Sequence, residues 1–295
     1  MRTRPLAASG VLPWGRSRSP RSRGVVRTAD VGARAQQPGP GLRGRVARHQ
    51  LPAFFVLTYA WSWTCWAPLL LGAGGTPLLL LGGLGPFVAA WAVTWLSGEP
   101  VRDWARAIVR WRVPARWWAW ALGLPALLYA VVNALLAALG REVDWSLALE
   151  RAPAYLATFV FVAVLGGGLE EPGWRGFALP RLQERLGPLR ATALLGLLWG
   201  VWHVPLYGPL GFAVPFVLAF LYTPLYNRTG SVLLCVLLHA SFTPAQDHLV
   251  LLAAEPVHTG LLDTVDLVLF GTYAGAALLV VALTRGRLGA GRPRR

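Results

Sequence analysis

The chain contains no lysine, a single methionine and two cysteines, and 13 of its 295 residues are aspartate or glutamate. Charged residues make up 14% of the sequence, whereas a soluble domain carries about 25%. The cysteines, Cys65 and Cys235, each lie in the middle of an apolar run. We therefore expect them to pack as small hydrophobic residues and to form neither a disulfide nor a metal pair.

Hydrophobic residues make up 55% of the sequence and occur in long apolar runs. A helix that spans a bilayer needs about 20 such residues, and the runs lack the apolar–polar alternation of barrel strands. The sequence thus predicts an all-α, polytopic membrane helix bundle with about eight transmembrane helices. Pro205 and Pro215 are predicted to mark helix ends or kinks. The predicted spans lie near residues 51–72, 76–97, 117–139, 153–174, 191–207, 211–227, 231–252 and 266–284.

The basic residues are distributed unevenly along the chain. Eleven of the 28 arginines precede residue 49, and most others lie in short segments between predicted spans. If the N-terminus lies inside, Arg141 and Arg151 are the only arginines of the predicted outer loops. This positive-inside pattern predicts a multi-pass protein of the cell membrane with both termini cytoplasmic. Because no basic stripe with interleaved aromatic residues is present, we expect no nucleic-acid partner.

The composition divides the chain into three parts. Residues 1–48 are rich in Arg, Pro, Gly and Ala, and we expect a disordered tail because such a segment cannot form a core. Residues 49–286 form the transmembrane domain, and residues 287–295 form a basic C-terminal tail. Residues 102–116 have apolar and basic side chains at helical spacing, which predicts either a helix along the inner membrane surface or an ordinary loop.

The predicted spans contain a short list of ionisable side chains, which are costly in hydrocarbon and are candidates for function. The pair Glu170 and Glu171 lies late in the fourth span, His203 lies in the fifth and His239 in the seventh. Helix rise places His203 roughly 20 Å, His239 roughly 16 Å and Glu170 roughly 8–16 Å from the inner surface. We therefore expect three helices to bring these groups together in the cytoplasmic half of the bilayer.

The glutamate pair has two possible assignments. Glu171 and Arg175 have the i, i+4 spacing that lets side chains meet on one helix face. That pairing leaves Glu170, about 100° around the helix, to face a cavity, but the spacing also allows the opposite assignment. The glycines at 166–168 permit a bend or a close helix approach, and Pro172 removes a backbone donor.

These residues resemble the motifs of the CPBP family of intramembrane proteases, which includes CAAX prenyl endopeptidases and bacterial Abi-type proteins. Residues 170–175 read EEPGWR and continue as GFALPRLQ, which is similar to the family motif E-E-x-x-x-R. Trp199 and His203 match the second motif, with Trp in place of the commoner Phe. His239 matches the third motif, whose last residue is Asn or Asp, but position 243 is Thr243. The three motifs occur in the family order across residues 153–250.

The resemblance implies an intramembrane endopeptidase in which Glu170, acting with His203, is the general base for a water molecule. It implies that His239 and the residue at position 243 stabilise the tetrahedral oxyanion, where Thr243 offers a shorter donor than Asn. The residues expected to support this catalytic set are Glu171, Arg175 and Trp199.

A competing version of the mechanism makes Glu170, His203 and His239 the ligands of a zinc ion with one open position for water. The sequence has no H-E-x-x-H motif, and the glutamate–water scheme needs no metal, so the preferred scheme has no obligatory cofactor.

Two other function classes compete with a protease. One is a catalytically inactive homologue that acts as a membrane immunity or scaffold protein. The other is a transporter with a proton relay, but transporters commonly have repeated halves, and the charged groups here are confined to residues 170–239. The expected partners are the lipid bilayer and a peptide or protein substrate, lipidated or not.

Overall fold

A computed structural model describes residues 41–253 and 263–291, apart from the side chains of residues 209 and 210. These residues form helices and no β-strand, although an isolated antiparallel bridge joins Val143 and Leu252. The predicted all-α class is confirmed, and the chain is a polytopic membrane helix bundle. Most of the predicted N-terminal tail, residues 1–40, and the last four residues of the predicted C-terminal tail lie outside the described residues.

The helices overlap all eight predicted spans. They are α1 (Leu42–Arg48), α2 (Gln50–Leu70), α3 (Thr76–Gly83), α4 (Gly85–Leu96), α5 (Val101–Ile108), α6 (Ala115–Ala138), α7 (Leu147–Glu150), α8 (Ala152–Val164), α9 (Leu179–Thr229), α10 (Val232–His248) and α11 (Thr264–Leu283). Between α8 and α9 lies an irregular segment, which consists of a 3₁₀ turn (Gly167–Glu170), an α-helical turn (Glu171–Gly173) and a π-helical turn (Trp174–Ala178).

Four helical stretches of the described chain are long and apolar enough to cross a membrane: Thr76–Leu96, Ala115–Ala138, Ala152–Gly208 and Thr264–Leu283. Large apolar side chains such as Trp95, Leu127 and Leu278 are exposed on these stretches, which is the surface that lipid contact requires. The chain is therefore a multi-pass membrane protein. Eight crossings and cytoplasmic termini stay predictions.

Both ends of the bundle extend beyond the predicted domain boundaries. Helix α1 begins at Leu42, within the segment predicted to be disordered, and packs against α2 and α4. At the other end, Leu288 is fully buried, and its carbonyl accepts a hydrogen bond of 2.8 Å from Asn227 Nδ2. Composition alone missed these short additions because each is ordered by contacts with distant parts of the chain.

The fourth predicted span, residues 153–174, is interrupted at the glycines that were expected to permit a bend. Helix α8 ends at Val164, and the irregular segment replaces the expected α-helix. A Cβ atom at Gly168 would lie 2.8 Å from the Val162 carbonyl oxygen, so this tight turn requires glycine. The π-helical turn that follows is a feature frequently found at functional sites.

The break between the predicted fifth and sixth spans lies at a glycine, not at Pro205 or Pro215. Within α9, Gly208 has φ 63° and ψ −156°, and Gly187 has φ 73° and ψ 171°. Positive φ is readily available only to glycine, so these residues divide the 51-residue helix.

Helix α10 lies at the centre of the bundle, where it packs against α6, α8 and the irregular segment. Asn133 of α6 fixes the C-terminal end of α10 with two hydrogen bonds. Its Nδ2 donates to the Leu249 carbonyl at 2.7 Å, and its Oδ1 accepts from Leu251 N at 2.9 Å. Both cysteines are free, and Cys235 is buried within α10. The packing of α10 against these neighbours sets the position of His239.

Candidate active site

A cavity of about 920 Å³ lies between α3, α8, α9, α10, α11 and the irregular segment. Its lining contains all four residues predicted to be catalytic, namely Glu170, His203, His239 and Thr243. Of the three supporting residues, Trp199 also lines the cavity, whereas Glu171 and Arg175 do not line it and are fully buried. The fold therefore brings residues from three separate parts of the chain to one site.

Glu170 lies at the end of the 3₁₀ turn and is 5% exposed. Its Oε2 atom accepts hydrogen bonds from two indole nitrogens, Trp199 Nε1 at 2.8 Å and Trp174 Nε1 at 3.2 Å. Because both donors reach the same oxygen, they orient the carboxyl group and leave Oε1 without a hydrogen-bond donor among the described residues. The carboxyl group is thus held in one orientation at the cavity wall.

Glu171 forms the buried ion pair that the i, i+4 spacing predicted. Arg175 Nη1 donates to both Glu171 oxygens at 2.9 Å, and neither side chain is exposed. The guanidinium group lies between two aromatic rings, 4.0 Å from the Trp199 centroid and 4.2 Å from the Tyr222 centroid. Of the two assignments that spacing left open, the structure has Glu171 paired with arginine and Glu170 facing the cavity.

The hydrogen bonds of the two histidines define which ring nitrogen remains free. His203 Nδ1 lies 2.9 Å from the Trp199 carbonyl oxygen, which can only accept, so Nδ1 carries the proton. His239 Nδ1 lies 2.9 Å from Glu171 Oε1, an ion-paired carboxylate that also accepts. In both imidazoles the Nε2 atom is therefore left for chemistry in the cavity.

Trp199 contacts four polar side chains of the site, namely Glu170, Arg175, His203 and His239. Its ring centroid lies 5.8 Å from that of His203 and 5.9 Å from that of His239, in edge-to-face arrangements. Its indole nitrogen reaches Glu170, and its face carries the Arg175 guanidinium. The aromatic residue of the second motif is thus the common packing partner of this group.

Thr243 follows His239 by one helical turn on α10. Its Oγ1 donates to the His239 carbonyl at 3.3 Å, which is long for a hydroxyl donor. One turn further along, Gln246 and Asp247 also line the cavity, and both are exposed. Helix α10 therefore carries a row of polar groups along the cavity wall.

Residues 41–253 and 263–291 contain no group of side chains that matches the ligand set of the zinc hypothesis. No three His, Cys, Asp or Glu side chains in this part of the chain are arranged to hold a metal ion. The hydrogen bonds of the site occupy Glu170 Oε2 and Nδ1 of each histidine, and among the described residues they leave Glu170 Oε1 and both Nε2 atoms free. These bonds do not decide between the zinc and metal-free schemes, and the cofactor stays a prediction.

Sequence reasoning missed two residues that shape the site. Trp174 donates to Glu170 from the i+4 position, a spacing that could have identified it. Tyr222 packs on Arg175 and lies 6.2 Å from the His239 ring, and it left no local signal because its partners are distant in sequence. Gly167 is one of the glycines expected to permit a close helix approach, and it lies against His239, since a Cβ atom there would be 2.5 Å from Nε2.

Known proteins share the segment that forms this site. Residues 152–243 match a family model described as type II CAAX prenyl endopeptidase Rce1-like. A similar protein, CAAX prenyl protease 2 of Methanococcus maripaludis, is 43% identical over 47 residues, which are 16% of this chain and 17% of that protein. The matched region of the family model contains all of the predicted site residues, from Glu170 to Thr243. Residues 152–243 are therefore similar to the type II CAAX prenyl endopeptidases.

Proposed function

We propose that this protein is an intramembrane endopeptidase that hydrolyses a peptide bond of a membrane-associated substrate with water activated by Glu170. One observation carries the proposal: a buried carboxyl group, fixed by two indole N–H groups, lines a cavity together with His203 and His239. The match of residues 152–243 to a CAAX prenyl endopeptidase family model supports the same class of reaction.

In the proposed reaction, Glu170 takes a proton from a water molecule while His203 Nε2 accepts a hydrogen bond from the other hydrogen. The water oxygen attacks the carbonyl carbon of the substrate and forms a tetrahedral intermediate. Glu170 then returns the proton to the amide nitrogen as the C–N bond breaks. The products are a carboxylic acid and an amine, and the scheme routes no step through a metal.

The proposed oxyanion donors are His239 Nε2 and the Thr243 hydroxyl. Because Nδ1–H of His239 is bound to Glu171, the ring can donate from Nε2 only when it carries both protons. Glu171 provides the negative charge beside such an imidazolium. The long bond from Thr243 to the backbone leaves that hydroxyl able to turn toward an oxyanion.

The cavity lining also contains many apolar side chains, among them Leu79 of α3, Phe161 of α8 and Leu267 of α11. We propose that it accommodates apolar or lipid-modified parts of the substrate next to the scissile bond. The prenylated CAAX sequence named for the related proteins is one candidate of this kind. Cleavage of matched peptides with and without a lipid group, by the reconstituted protein, distinguishes lipid recognition from recognition of apolar side chains.

The proposal is tested by reconstituting the full chain in lipid nanodiscs and measuring cleavage of a peptide library by mass spectrometry. We expect Glu170→Gln and His203→Ala to lower the rate by about 10²–10⁴, the usual contribution of general acid–base catalysis. Glu184→Gln is the control, because it removes an exposed carboxylate on α9 that lies away from the cavity. Undiminished cleavage by the Glu170 and His203 variants would overturn the proposal.

A second candidate, a non-catalytic homologue, is favoured by one observation. Thr243 replaces the Asn or Asp of the third motif, and loss of an oxyanion donor typically costs about 10²–10³ in rate. If the biological effect of the protein persists in Glu170→Gln while no peptide is cleaved, the scaffold function is correct.

A further inference from the structure

A second pocket, of about 440 Å³, lies apart from the candidate active site. Its lining includes Asp103, Arg106, Arg110, Trp111, Arg112 and Gly230. The volume falls within the range of small-molecule sites, about 300–1,000 Å³.

The charges in this pocket are unbalanced. Asp103 is its acidic residue, and it is engaged by Arg106 at 2.6 Å and by Arg102 at 3.8 Å. Arg110 and Arg112 have no acidic partner within residues 41–253 and 263–291. The Arg112 guanidinium lies 5.0 Å from the centroid of the Trp111 ring. Two guanidinium groups of the pocket are therefore available to an anion.

The position of the pocket follows from the helices that it connects. It lies on α5 and the following loop, which join α4 to α6, and both of these helices belong to stretches that can cross a membrane. The connection must therefore run close to the membrane surface on that side. Trp111 is 59% exposed there, and tryptophan is typical of the headgroup region. The pocket thus opens at the level of lipid headgroups.

We propose that this pocket binds the phosphate of an anionic glycerophospholipid through Arg110 and Arg112. The planar guanidinium group matches phosphate oxygens with paired hydrogen bonds, and basic pockets near transmembrane helix ends are typical sites for anionic headgroups. The adjacent Trp111 places an aromatic ring beside the lipid interface.

Two hydrogen bonds connect the pocket to the candidate active site. Trp104 on α5 donates from Nε1 to the Pro172 carbonyl at 3.0 Å, two residues from Glu170. The Ser231 hydroxyl, which caps α10, donates to the Arg110 carbonyl. The segment that carries the pocket is therefore bonded to both the irregular segment and the helix that carries His239.

The test measures lipid retention by the full-length protein, purified from nanodiscs of phosphatidylcholine with phosphatidylglycerol, by native mass spectrometry. We expect the Arg110→Gln, Arg112→Gln double variant to retain about tenfold less phosphatidylglycerol than the wild type. Arg116→Gln is the matched control, because this neighbouring arginine stacks on Trp117 and does not line the pocket. Equal retention by the wild type and the double variant would overturn the proposal.

Two further arms identify the source of the phosphate. Inorganic phosphate added to pure phosphatidylcholine nanodiscs should not raise the melting temperature of the wild type, whereas phosphatidylglycerol should raise it. A rise with inorganic phosphate that the double variant loses would assign the site to a free anion instead of a lipid. Retention of phosphatidylcholine equal to that of phosphatidylglycerol would also contradict a site for anionic lipid.

The substitutions are compatible with folding because Ser231 bonds to the backbone of Arg110, not to its side chain. Arg112→Lys keeps the charge and should retain more phosphatidylglycerol than Arg112→Gln. Since lipid retention requires no peptidase activity, failure of this proposal leaves the proposed endopeptidase reaction untouched.

Discussion

Trp199 donates a hydrogen bond of 2.8 Å from its indole nitrogen to Oε2 of Glu170, and so joins α9 to the irregular segment. The second motif of the family more commonly has phenylalanine at this position, and phenylalanine has no N–H group. In this chain the aromatic residue therefore has two functions. It packs against His203 and His239, and it fixes the orientation of the proposed general base.

Replacing Trp199 with phenylalanine separates these two functions, because the variant keeps an aromatic ring and loses the donor. A hydrogen bond to a charged group is worth about 1.5–3 kcal/mol, so we expect kcat to fall by about 10- to 100-fold with little change in KM. Steady-state peptide cleavage in nanodiscs measures both constants. Trp120→Phe is the control, since its indole nitrogen has no hydrogen-bond partner and lies outside the cavity. An equal kcat for both variants would contradict a positioning role.

Gly167→Ala should displace His239. The added Cβ atom would lie 2.5 Å from His239 Nε2, so the imidazole must move away from the cavity. We expect cleavage to fall by about 10²-fold or more, the typical result of misplacing a catalytic group by about 1 Å. Gly123→Ala on α6 is the matched control, because no atom lies within 4 Å of the new methyl group. If both alanine variants cleave at the wild-type rate, His239 is not required where the structure has it.

Arg175→Met should destabilise the fold strongly. It leaves the fully buried Glu171 without its guanidinium partner, and breaking a buried pair costs about 3–5 kcal/mol. Arg102→Met provides the comparison, because its ion pair with Asp103 is exposed and such pairs contribute about 0–1 kcal/mol. Thermal unfolding in detergent measures both variants. Similar melting temperatures for the two would show that the buried pair does not stabilise the bundle.

Thr243→Asn should increase the rate of peptide cleavage. The longer amide side chain can donate to an oxyanion while the helix backbone stays in place, and we expect a rise of about tenfold because such donors contribute about 10²–10³. Thr243→Val removes the hydroxyl and should lower the rate. If neither substitution changes kcat, the residue at position 243 takes no part in stabilising the oxyanion.

Chelation should leave activity intact under the proposed mechanism. The proposed scheme uses no metal, and the site has no three-ligand arrangement among the described residues, so we expect cleavage to persist after dialysis against a strong zinc chelator. Cleavage rates before and after treatment give the answer. Loss of activity that added Zn²⁺ restores would establish the competing zinc mechanism.

The composition of the site could be predicted from sequence because ionisable residues are rare in apolar spans. Glu170, His203 and His239 were conspicuous for that reason, and the i, i+4 rule identified the pair of Glu171 with Arg175. Which glutamate faces the cavity could not be predicted. That choice depends on the indoles of Trp174 and Trp199, which bind Glu170, and on His239, which binds Glu171.

The positions of the spans were predictable for a similar reason, since apolar length alone identifies a helix that can cross a bilayer. The path of the chain within the spans could not be predicted from the sequence. The irregular segment depends on close packing that requires Gly168, and α9 changes direction at Gly208 instead of at a proline. Both effects arise from steric contacts and backbone angles that hydropathy does not report.

The sequence by itself determined that this chain is a membrane-embedded helix bundle with a small set of titratable groups, because burying charge in hydrocarbon is too costly to occur without cause. Tertiary structure alone decided those hydrogen-bond partners of these groups that are distant in sequence. The partners of Glu170 and His239 lie up to 68 residues away, and packing of α9 and α10 against the irregular segment brings them within reach. Hydrogen bonds act over about 3 Å, so only the folded chain assigns them.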